Sequence, residues 1–302
     1  MGKKTYQKPF IKWVGGKTQL IDMIMSKFPN KINNYHEPFL GGGSVMFALL
    51  SCVEEGKIEL KGKVYAYDVN ESLVNVYRHI QKNHEELYSS ASRYMSVYDS
   101  LTGSIVNRNP KVEEDALTSK ESYYYWMRKL YNDTEVDSLQ HAALFLCVNK
   151  TCFRGMYREG PRGYNVPYGH YKKTPQLPSI DEFNRIHNLI VDVEFIHSDF
   201  NDSFLNISHS DFVYIDPPYM PETKKSFVKY VVGGFNAEDH ESLFEKIKNL
   251  DKSISFIMSN SKVEYVLQSF SEYNIEDVVA RRAINSKNPG DSTIEVLICN
   301  YS

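Results

Sequence analysis

The sequence predicts an α/β fold in which an open sheet is interrupted by a long, mostly helical insertion. Short runs of β-branched and aromatic residues alternate with helix-length segments before residue 72 and after residue 193, whereas helical patterns predominate between them. We therefore predict one α/β domain from residues 1–72 and 193–302, and an insertion at 73–192 with a small helical core of its own. Its helices are predicted at roughly 72–90, 121–131, 137–148 and 180–190.

The first glycine-containing stretch, Ile11 to Thr18, predicts a tight turn that opens a helix. Its Gly-Lys-Thr ending is typical of a phosphate loop, but that motif requires a glycine where Ile11 stands, so we exclude an NTPase. The turn at Gly15-Gly16 leads into a helix predicted from Thr18 to about Phe28. Trp13 and Lys17 flank the turn as an aromatic surface and a point charge.

A second glycine-containing stretch, Gly41-Gly42-Gly43, follows a predicted strand and precedes an apolar helix from Val45 to Val53. Glycines at a helix N-terminus let backbone amides approach a ligand closely. The dinucleotide fingerprint would require a third glycine where Met46 stands, so the loop favours a nucleoside-like cofactor over a pyrophosphate. A glycine turn without a ligand is the alternative interpretation.

Asp68 ends the next predicted strand, which begins at Val64. An acid at the tip of the second strand is placed to bind both hydroxyls of a ribose. An ordinary N-cap for the following helix is the alternative. The neighbouring glycine loop favours the ribose.

The basic segment, Asn149 to Lys173, is the most unusual part of the chain. It holds six basic residues and the single acid Glu159, with aromatic residues and glycines between them. Basic side chains bind phosphates, arginine reads guanine edges, and aromatic rings stack on bases or insert between them. We predict a hairpin or loop that enters a DNA groove; a solvated loop above packed tyrosines is the alternative. The predicted DNA contacts are Lys150, Phe153, Arg154, Tyr157, Arg158, Arg162, Tyr168 and Lys172.

The central strand is predicted at residues 212–215, where β-branched and aromatic residues indicate burial on both faces. It ends at Asp216, because two consecutive prolines cannot donate hydrogen bonds to a sheet ladder. Ligands bind at the carboxyl ends of such strands. An amino group on an aromatic base fits this corner, since Asp216 and the Pro217 carbonyl can each accept one N–H while Tyr219 stacks on the ring. A turn that only ends the strand is the alternative.

Further strands and helices complete the predicted sheet. The strand at 193–197 leads into Ser198-Asp199-Phe200. The lysine-containing span 221–234 is predicted to be a mobile loop. The remaining strands are predicted at 254–258, 274–279 and 294–299, and the remaining helices at 237–250 and 262–271.

The composition is that of a soluble globular protein, with 42% hydrophobic and 24% charged residues. No apolar run reaches the roughly 18 residues of a spanning helix. No apolar segment follows the charged N-terminus, so we expect a cytoplasmic protein without a membrane partner. Because the net charge is −3, any nucleic-acid interface must be local.

The cysteines predict neither disulfides nor a metal site. They form no C-x-x-C pair and show no ligand spacing with the nine histidines. Thiols in a reducing compartment are therefore expected. The four are Cys52, Cys147, Cys152 and Cys299.

Several motifs occur together in a fixed order along nearly the whole chain. They are Lys-Trp-Val-Gly-Gly-Lys at 12–17, Glu-Pro-Phe-Leu-Gly-Gly-Gly at 37–43, Asp68, Asn-Val-Pro-Tyr-Gly at 165–169, Tyr-Lys-Lys at 171–173, Ser-Asp-Phe at 198–200, Asp-Pro-Pro-Tyr at 216–219 and Glu-Val-Leu-Ile-Cys-Asn-Tyr at 295–301. In this order they resemble the Dam-type DNA adenine methyltransferases, the alpha group with an Asp-Pro-Pro-Tyr motif. Several ordered motifs are far more specific than any one of them.

The resemblance implies a Rossmann-like methyltransferase sheet of seven strands with a C-terminal reversed hairpin, and an inserted target-recognition domain. It implies S-adenosylmethionine as cofactor and N6 of an adenine flipped out of double-stranded DNA as methyl acceptor. It also implies that Asp216, Pro217 and Tyr219 are the catalytic residues. The residues assigned to the cofactor are Trp13, Lys17, Glu37, Phe39, Gly41, Gly43, Asp68, Asp199 and Asp216.

The resemblance also bears on the biological role and the target. It implies the protective methylase of a restriction–modification system, whose nuclease shares the target without binding stably. Dam-type enzymes that act on GATC usually carry Asn-Gly where this chain has Arg154-Gly155. The Phe-Arg-Gly form is more similar to enzymes that act on CATG, so we predict a target other than GATC. Arg158 matches the family's base-contacting arginine, and Arg154 is a candidate for a second.

Three other functions are compatible with parts of the sequence. RNA and protein methyltransferases also use Asp-Pro-Pro-Tyr or Asn-Pro-Pro-Tyr corners, although the basic segment favours duplex DNA. A DNA-binding specificity module without catalysis is a second possibility, against which the intact corner argues. A nicotinamide dehydrogenase is disfavoured by Met46 in the glycine loop.

Overall fold

A computed structural model describes residues 6–220, 234–281 and 292–301. The predicted mobile loop at 221–234 therefore lies almost entirely outside the described residues. The strands are β1 (Lys31–Ile32), β2 (Tyr35–Glu37), β3 (Glu59–Leu60), β4 (Val64–Asp68), β5 (Glu159–Gly160), β6 (Gly163–Tyr164), β7 (Val193–His197), β8 (Phe212–Ile215), β9 (Ser255–Ser261), β10 (Asn274–Arg281) and β11 (Ser292–Cys299). The α-helices are α1 (Ile21–Lys27), α2 (Ser44–Glu54), α3 (Glu71–Ser100), α4 (Lys120–Asp133), α5 (Leu139–Thr151), α6 (Ile180–Ile190), α7 (Phe200–Ser203), α8 (Ala237–Lys248) and α9 (Glu264–Ser269).

Within the described ranges, seven strands form one sheet in the order β10-β11-β9-β8-β2-β4-β7. Neighbouring strands are parallel, except that β11 runs antiparallel to both β9 and β10. The predicted α/β sheet is confirmed. From β2 the chain builds outward through β4 and β7, then crosses back to β8 and builds the other way, so the order reverses between β2 and β8. In open α/β sheets this reversal creates a crevice for ligands.

Strand β8 is buried on both faces, as its composition predicted. Its four residues are at most 2% exposed. Phe212 and Tyr214 join the apolar cluster that includes Phe28, whereas Val213 and Ile215 join a second cluster with Leu243 of α8. Alternate side chains of a strand point to opposite faces, so each face of β8 has its own layer of helices.

A buried polar network aligns the start of β8 with β2. The Oδ1 atom of Asp211 accepts hydrogen bonds from the backbone and side-chain nitrogens of Asn34, at 3.3 and 2.9 Å. Its Oδ2 atom lies 3.0 Å from Nε2 of His36 on β2. Because the two strands are tied here, the residues that follow their carboxyl ends are also brought side by side.

The helical insertion between β4 and β7 does not have a core of its own. Apolar residues of α3, α4 and α5 belong to the same continuous cluster as those of the sheet. Tyr77 of α3, for example, stacks on Phe195 of β7 with ring centroids 4.7 Å apart. The prediction of a separate core was wrong because α3 begins directly after β4, so its first turns pack on the sheet.

Helix α3 is also longer than predicted, running from Glu71 to Ser100 instead of 72–90. Asn83 interrupts it with non-helical angles (φ −139°, ψ 40°). Beyond the interruption, Leu87, Tyr94 and Tyr98 are buried, so this part of the helix packs within the insertion. The small parallel pair β1–β3 was not predicted, because two residues per strand carry no detectable alternation.

In the part of the chain that the structure describes, no helix is both long and apolar enough to cross a membrane.

Gly43, the N-cap of α2, offers a test of the packing beneath the glycine loop. Its φ is +69°, and a Cβ there would lie 2.7 Å from Oη of Tyr77. Gly43→Ala is expected to incur both left-handed strain, about 1–2 kcal/mol, and overpacking, about 1–3 kcal/mol. Gly56→Ala is the matched control, because Gly56 has φ +68° and nothing within 4 Å of a Cβ. Urea unfolding of both variants measures the difference, and equal losses of unfolding free energy would contradict the steric argument.

Candidate active site

The predicted acidic residues meet at one edge of the sheet. Glu37 and Asp68 are the last residues of β2 and β4, Asp216 directly follows β8, and Asp199 follows β7 after one intervening residue. All four strands are parallel neighbours, so their carboxyl ends lie side by side. The strand-end reasoning from the sequence therefore leads to one location.

Asp216 carries one paired and one unpaired oxygen. Its Oδ2 atom lies 2.9 Å from Nζ of Lys17. Its Oδ1 atom is buried and finds no hydrogen-bond partner among the described residues. Desolvation raises the pKa of Asp216 to about 6, although the charge and hydrogen bond of Lys17 oppose the rise. A buried acceptor without a donor is the expected state of a group that awaits a ligand.

The raised pKa has a consequence for stability. Because the pKa of Asp216 in the folded protein exceeds the ordinary value of 3.8, the folded state binds this proton more tightly than the unfolded state does. The contribution of the group to stability is therefore present below pH 3.8 and is lost as the pH rises through about 6. The ionised form of Asp216 is therefore held in the folded protein at a cost in stability.

Lys17 connects the central strand to the helix that follows the glycine loop. Its backbone N–H donates to Oγ of Ser44 at the start of α2 (3.1 Å), and its Nζ donates to the carbonyl of Gly15 (2.7 Å). The same ammonium lies 4.7 Å from the ring centroid of Tyr219. Lys17 is only 5% exposed, so it is a fixed part of the site.

Glu295 is a site residue that the functional prediction missed. The phenol of Tyr219 donates a hydrogen bond of 2.6 Å to Oε2 of Glu295. Desolvation, together with the charges of Asp216 and Glu295, raises the pKa of Tyr219 well above its ordinary value, so the phenol keeps its proton. The signal for Glu295 was present in the motif at 295–301, but nothing in the sequence placed β11 two strands from β8.

Asn260, at the end of β9, anchors the chain just beyond this tyrosine. Its Oδ1 atom accepts hydrogen bonds from the backbone N–H groups of Met220 (3.2 Å) and Ser261 (2.8 Å). The hydroxyl of Ser261 donates in turn to the carbonyl of Met220 (2.6 Å). The path of the chain from Asp216 to Met220 is thus fixed at both ends.

The glycine loop is built around Asp68 and Trp13. The backbone N–H of Gly41 donates to Oδ2 of Asp68 (2.8 Å), and that of Asn70 donates to Oδ1 (2.9 Å). Gly41 has φ +50°, and a Cβ there would lie 2.8 Å from the Trp13 ring, so only glycine fits. Asn70, not Asp68, caps helix α3, which removes the alternative interpretation of Asp68.

Glu37 lies beneath the loop as a buried acid. It is 2% exposed, and its Oε2 atom accepts a 2.7 Å hydrogen bond from Tyr35. Desolvation raises the pKa of Glu37 to about 8, against the Tyr35 hydrogen bond and with a further rise from the charge of Asp216. Glu37 is therefore mostly protonated at neutral pH, which limits repulsion between the two buried acids.

The remaining predicted cofactor residues surround the loop. Phe39 stacks on Phe200 with centroids 5.9 Å apart. Asp199 is exposed, and its side chain accepts a hydrogen bond from the backbone of Asp202 (3.0 Å). Trp13 stacks on Phe145 of α5 (6.3 Å between centroids) and so joins the loop to the insertion.

The basic segment contains a short antiparallel hairpin, β5–β6, and its predicted DNA contacts fall into two sets. The exposed ones, suited to a direct contact, are Phe153, Arg154, Arg158, Arg162 and Lys172. The partly buried ones, each packed against the protein, are Lys150, Tyr157 and Tyr168. The hydroxyl of Tyr157 donates to Glu159, and that of Tyr168 lies 2.9 Å from the hydroxyl of Tyr98.

Arg154 adopts the left-handed conformation, with φ +57°. Asparagine is several-fold enriched in this region among non-glycine residues. Backbone conformation therefore constrains which residues suit position 154.

Among the described residues, no group of three or more His, Cys, Asp or Glu side chains is arranged to hold a metal ion.

The fold and the site together define a methyltransferase: a crevice at the reversal of a mostly parallel sheet, a glycine loop and an Asp-Pro-Pro-Tyr corner. The family model for D12 class N6 adenine-specific DNA methyltransferases matches residues 13–284. The chain therefore belongs to this family, and the resemblance deduced from its motifs is confirmed.

Individual relatives agree with this assignment. The type II methyltransferase M.MjaIII of Methanocaldococcus jannaschii is 34% identical, covering 97% of this chain and 99% of that protein. The type II methyltransferase M1.LlaDCHI of Lactococcus lactis is 30% identical, covering 97% and 95%. The DNA adenine methylase of Escherichia coli is 27% identical, again covering 97% and 95%.

Lys17→Met tests the electrostatics of the site. The substitution keeps a long unbranched side chain but removes the charge that opposes desolvation of Asp216. We expect the pKa of Asp216 to rise above about 6. As the pH is lowered, methyl transfer should therefore begin to fall at a higher pH in this variant than in the wild type. The pH profile of kcat/KM reports this inflection, and Lys17→Arg, which retains the charge, is the control. An inflection at the same pH in all three proteins would contradict the assignment.

Proposed function

We propose that this protein transfers the methyl group of S-adenosylmethionine to N6 of an adenine extruded from duplex DNA. The observation that carries the proposal is the unpaired Oδ1 atom of Asp216, buried at the carboxyl end of the central strand. Extrusion is required because stacked neighbours shield N6 in a duplex. Family membership supports the reaction class, and the geometry supports the roles proposed below.

The site suits a nucleoside-like cofactor. Asp68 is positioned by two backbone amides and has lone pairs left for ribose hydroxyls, while the strictly required Gly41 keeps the loop backbone open to a close approach. S-adenosylmethionine would supply an electrophilic methyl group on a sulfonium. We assign its binding to the predicted set of Trp13, Lys17, Glu37, Phe39, Gly41, Gly43, Asp68, Asp199 and Asp216.

Asp216 and Pro217 position the amino group of the target base. Lys17 on Oδ2 favours the ionised carboxylate, and Oδ1 is left to accept one N6–H. The Pro217 carbonyl accepts the other, which favours a pyramidal nitrogen with an exposed lone pair. This arrangement needs positioning more than a strong base. The N6 proton becomes acidic only once the nitrogen gains its fourth bond, and Asp216 is then placed to receive it.

Tyr219 supports the extruded ring. Stacking of a base on an aromatic side chain contributes about 1–3 kcal/mol. The hydrogen bond to Glu295 fixes the orientation of the phenol before a base arrives. Glu295 is thus a positioning residue for the tyrosine.

The basic segment provides the DNA interface in this proposal. The exposed residues make the direct contacts, with arginines at phosphates or guanine edges and Phe153, 41% exposed, at the base stack. Lys150, Tyr157 and Tyr168 support the segment from below, and we assign them a positioning role. An interface of this kind remains local, as the net charge of −3 requires.

The names of two relatives support a proposal for the biological role. Two of them are named type II methyltransferases. We infer that this protein protects DNA as the methylase of a restriction–modification system. The nuclease of that system would recognise the same DNA target but would not form a stable complex with this protein. Transfer of labelled methyl groups to duplex DNA but not to RNA or protein distinguishes this function from the other methyltransferase classes.

Base-resolved sequencing of methylated random duplex DNA decides the target. N6-methyladenine in CATG supports the hypothesis drawn from Arg154-Gly155. Methylation in GATC would overturn it and would show that the dipeptide reflects backbone geometry alone. Absence of methyladenine in any duplex would overturn the proposed reaction.

Asp216→Ala is expected to abolish methyl transfer, with a loss of at least about 100-fold, because an interaction aimed at the reacting nitrogen is removed. DNA binding, which depends on the basic segment, should change little. Methyl incorporation and fluorescence anisotropy measure the two properties separately, and the isosteric Asp216→Asn controls for packing. Incorporation near the wild-type level would refute the role of Asp216.

Affinity for DNA should fall steeply with salt despite the negative net charge. If about four to six phosphates are neutralised, the slope of log affinity against log salt is about −4 to −5. Arg162→Ala should weaken binding and make the slope shallower by about 1. Arg185→Ala is the control, since Arg185 of α6 pairs with Glu54 of α2 instead (3.0 Å). A flat salt response would show that the basic segment does not contact the backbone of DNA.

A further inference from the structure

The N-terminal turn, residues 12–17, contacts both the active site and the basic segment. At its end, Lys17 pairs with Asp216. At its start, the backbone of Lys12 is held by one side chain, that of Asn149. The Lys12 N–H donates to Oδ1 of Asn149 (3.0 Å), and Nδ2 of Asn149 donates to the Lys12 carbonyl (2.8 Å). Asn149 is 3% exposed and lies in the last turn of α5, where the basic segment begins.

Further contacts reinforce this link. A side chain at Gly155 would collide with that of Lys12, so the Lys12 side chain packs directly on the backbone of Gly155. Nζ of Lys12 donates to the hydroxyl of Tyr171 (3.2 Å), which itself donates to the carbonyl of Cys152 (2.9 Å). The turn and the basic segment are thus joined by hydrogen bonds as well as by packing.

We propose that Asn149 is a positioning residue that couples the cofactor site to the DNA interface. The turn cannot shift relative to the basic segment without breaking two partly buried hydrogen bonds, and leaving their polar groups without partners costs stability. A ligand that orders the turn therefore also orders the segment, and the reverse holds by thermodynamic linkage. The inference rests on the proposed function, because it assigns a cofactor to the turn and DNA to the segment.

Asn132 of α4 provides a control that is matched to Asn149 in its hydrogen bonds but is exposed. Nδ2 of Asn132 donates to the carbonyl of Tyr164 (3.0 Å), and the Tyr164 N–H donates to Oδ1 (2.8 Å). This is the same two-way amide interaction, but both partners belong to the insertion. Asn132→Ala removes as many hydrogen bonds as Asn149→Ala without touching the N-terminal turn.

The experiment measures the affinity for a duplex oligonucleotide carrying the mapped target, with and without saturating S-adenosylhomocysteine, a cofactor analogue without the methyl group. In the wild type we expect the analogue to tighten DNA binding about tenfold. Asn149→Ala should reduce this factor to below about threefold. Asn149→Asp keeps the acceptor for Lys12 and loses only the donor, so it should retain an intermediate factor. Asn132→Ala should retain the wild-type factor, and thermal unfolding of all variants verifies that each is folded.

Three outcomes would overturn the proposal: no coupling in the wild type, full coupling in Asn149→Ala, or an equal loss of coupling in Asn149→Ala and Asn132→Ala. The last would indicate general destabilisation of the insertion. These outcomes are separate from failure of the proposed function, which would appear as wild-type protein that transfers no methyl group to duplex DNA.

Discussion

The buried ion pair between Lys17 and Asp216 is the interaction on which the site depends. Removing a carboxylate from water is costly, and desolvation raises the pKa of Asp216 above its ordinary value. The ammonium, 2.9 Å away, restores part of its acidity. Protonation of neighbouring Glu37, whose pKa is about 8, avoids a second negative charge nearby. A carboxylate that can accept hydrogen bonds is thereby held in a place largely shielded from water.

The sheet determines where this pair can form. Asp211 ties the start of β8 to β2, so the ends of both strands meet at the reversal of strand order. The two prolines after Asp216 cannot donate hydrogen bonds to the neighbouring strands, so the pairing of β8 ends there. Four residues beyond Asp216, the side chain of Asn260 holds the chain again by accepting a hydrogen bond from the backbone N–H of Met220. The site is consequently built on strand ends. The short stretch from Asp216 to Met220, which pairs with no strand among the described residues, is held by β8 at its start and by Asn260 at its end.

The helical insertion packs continuously against the sheet. Its helices share one apolar core with the sheet, and Trp13 stacks on Phe145 between the glycine loop and α5. Tyr157, one of the predicted DNA contacts, packs at this junction and lies 5.6 Å from Trp13, centroid to centroid. The basic segment is thereby packed, through aromatic contacts, against the residues around the glycine loop.

The sequence by itself determined the sheet, the strand ends and the acids placed on them, because hydrophobic periodicity, glycines and prolines act locally. It also identified the family, since Lys17, Asp68 and Asp216 stand in motifs of fixed order. Only the tertiary structure decided which charges pair, that Glu295 reaches Tyr219, and that the insertion has no separate core. It also separated exposed from packed side chains in the basic segment. Such contacts join residues far apart in the chain, and periodicity along a sequence contains no information about them.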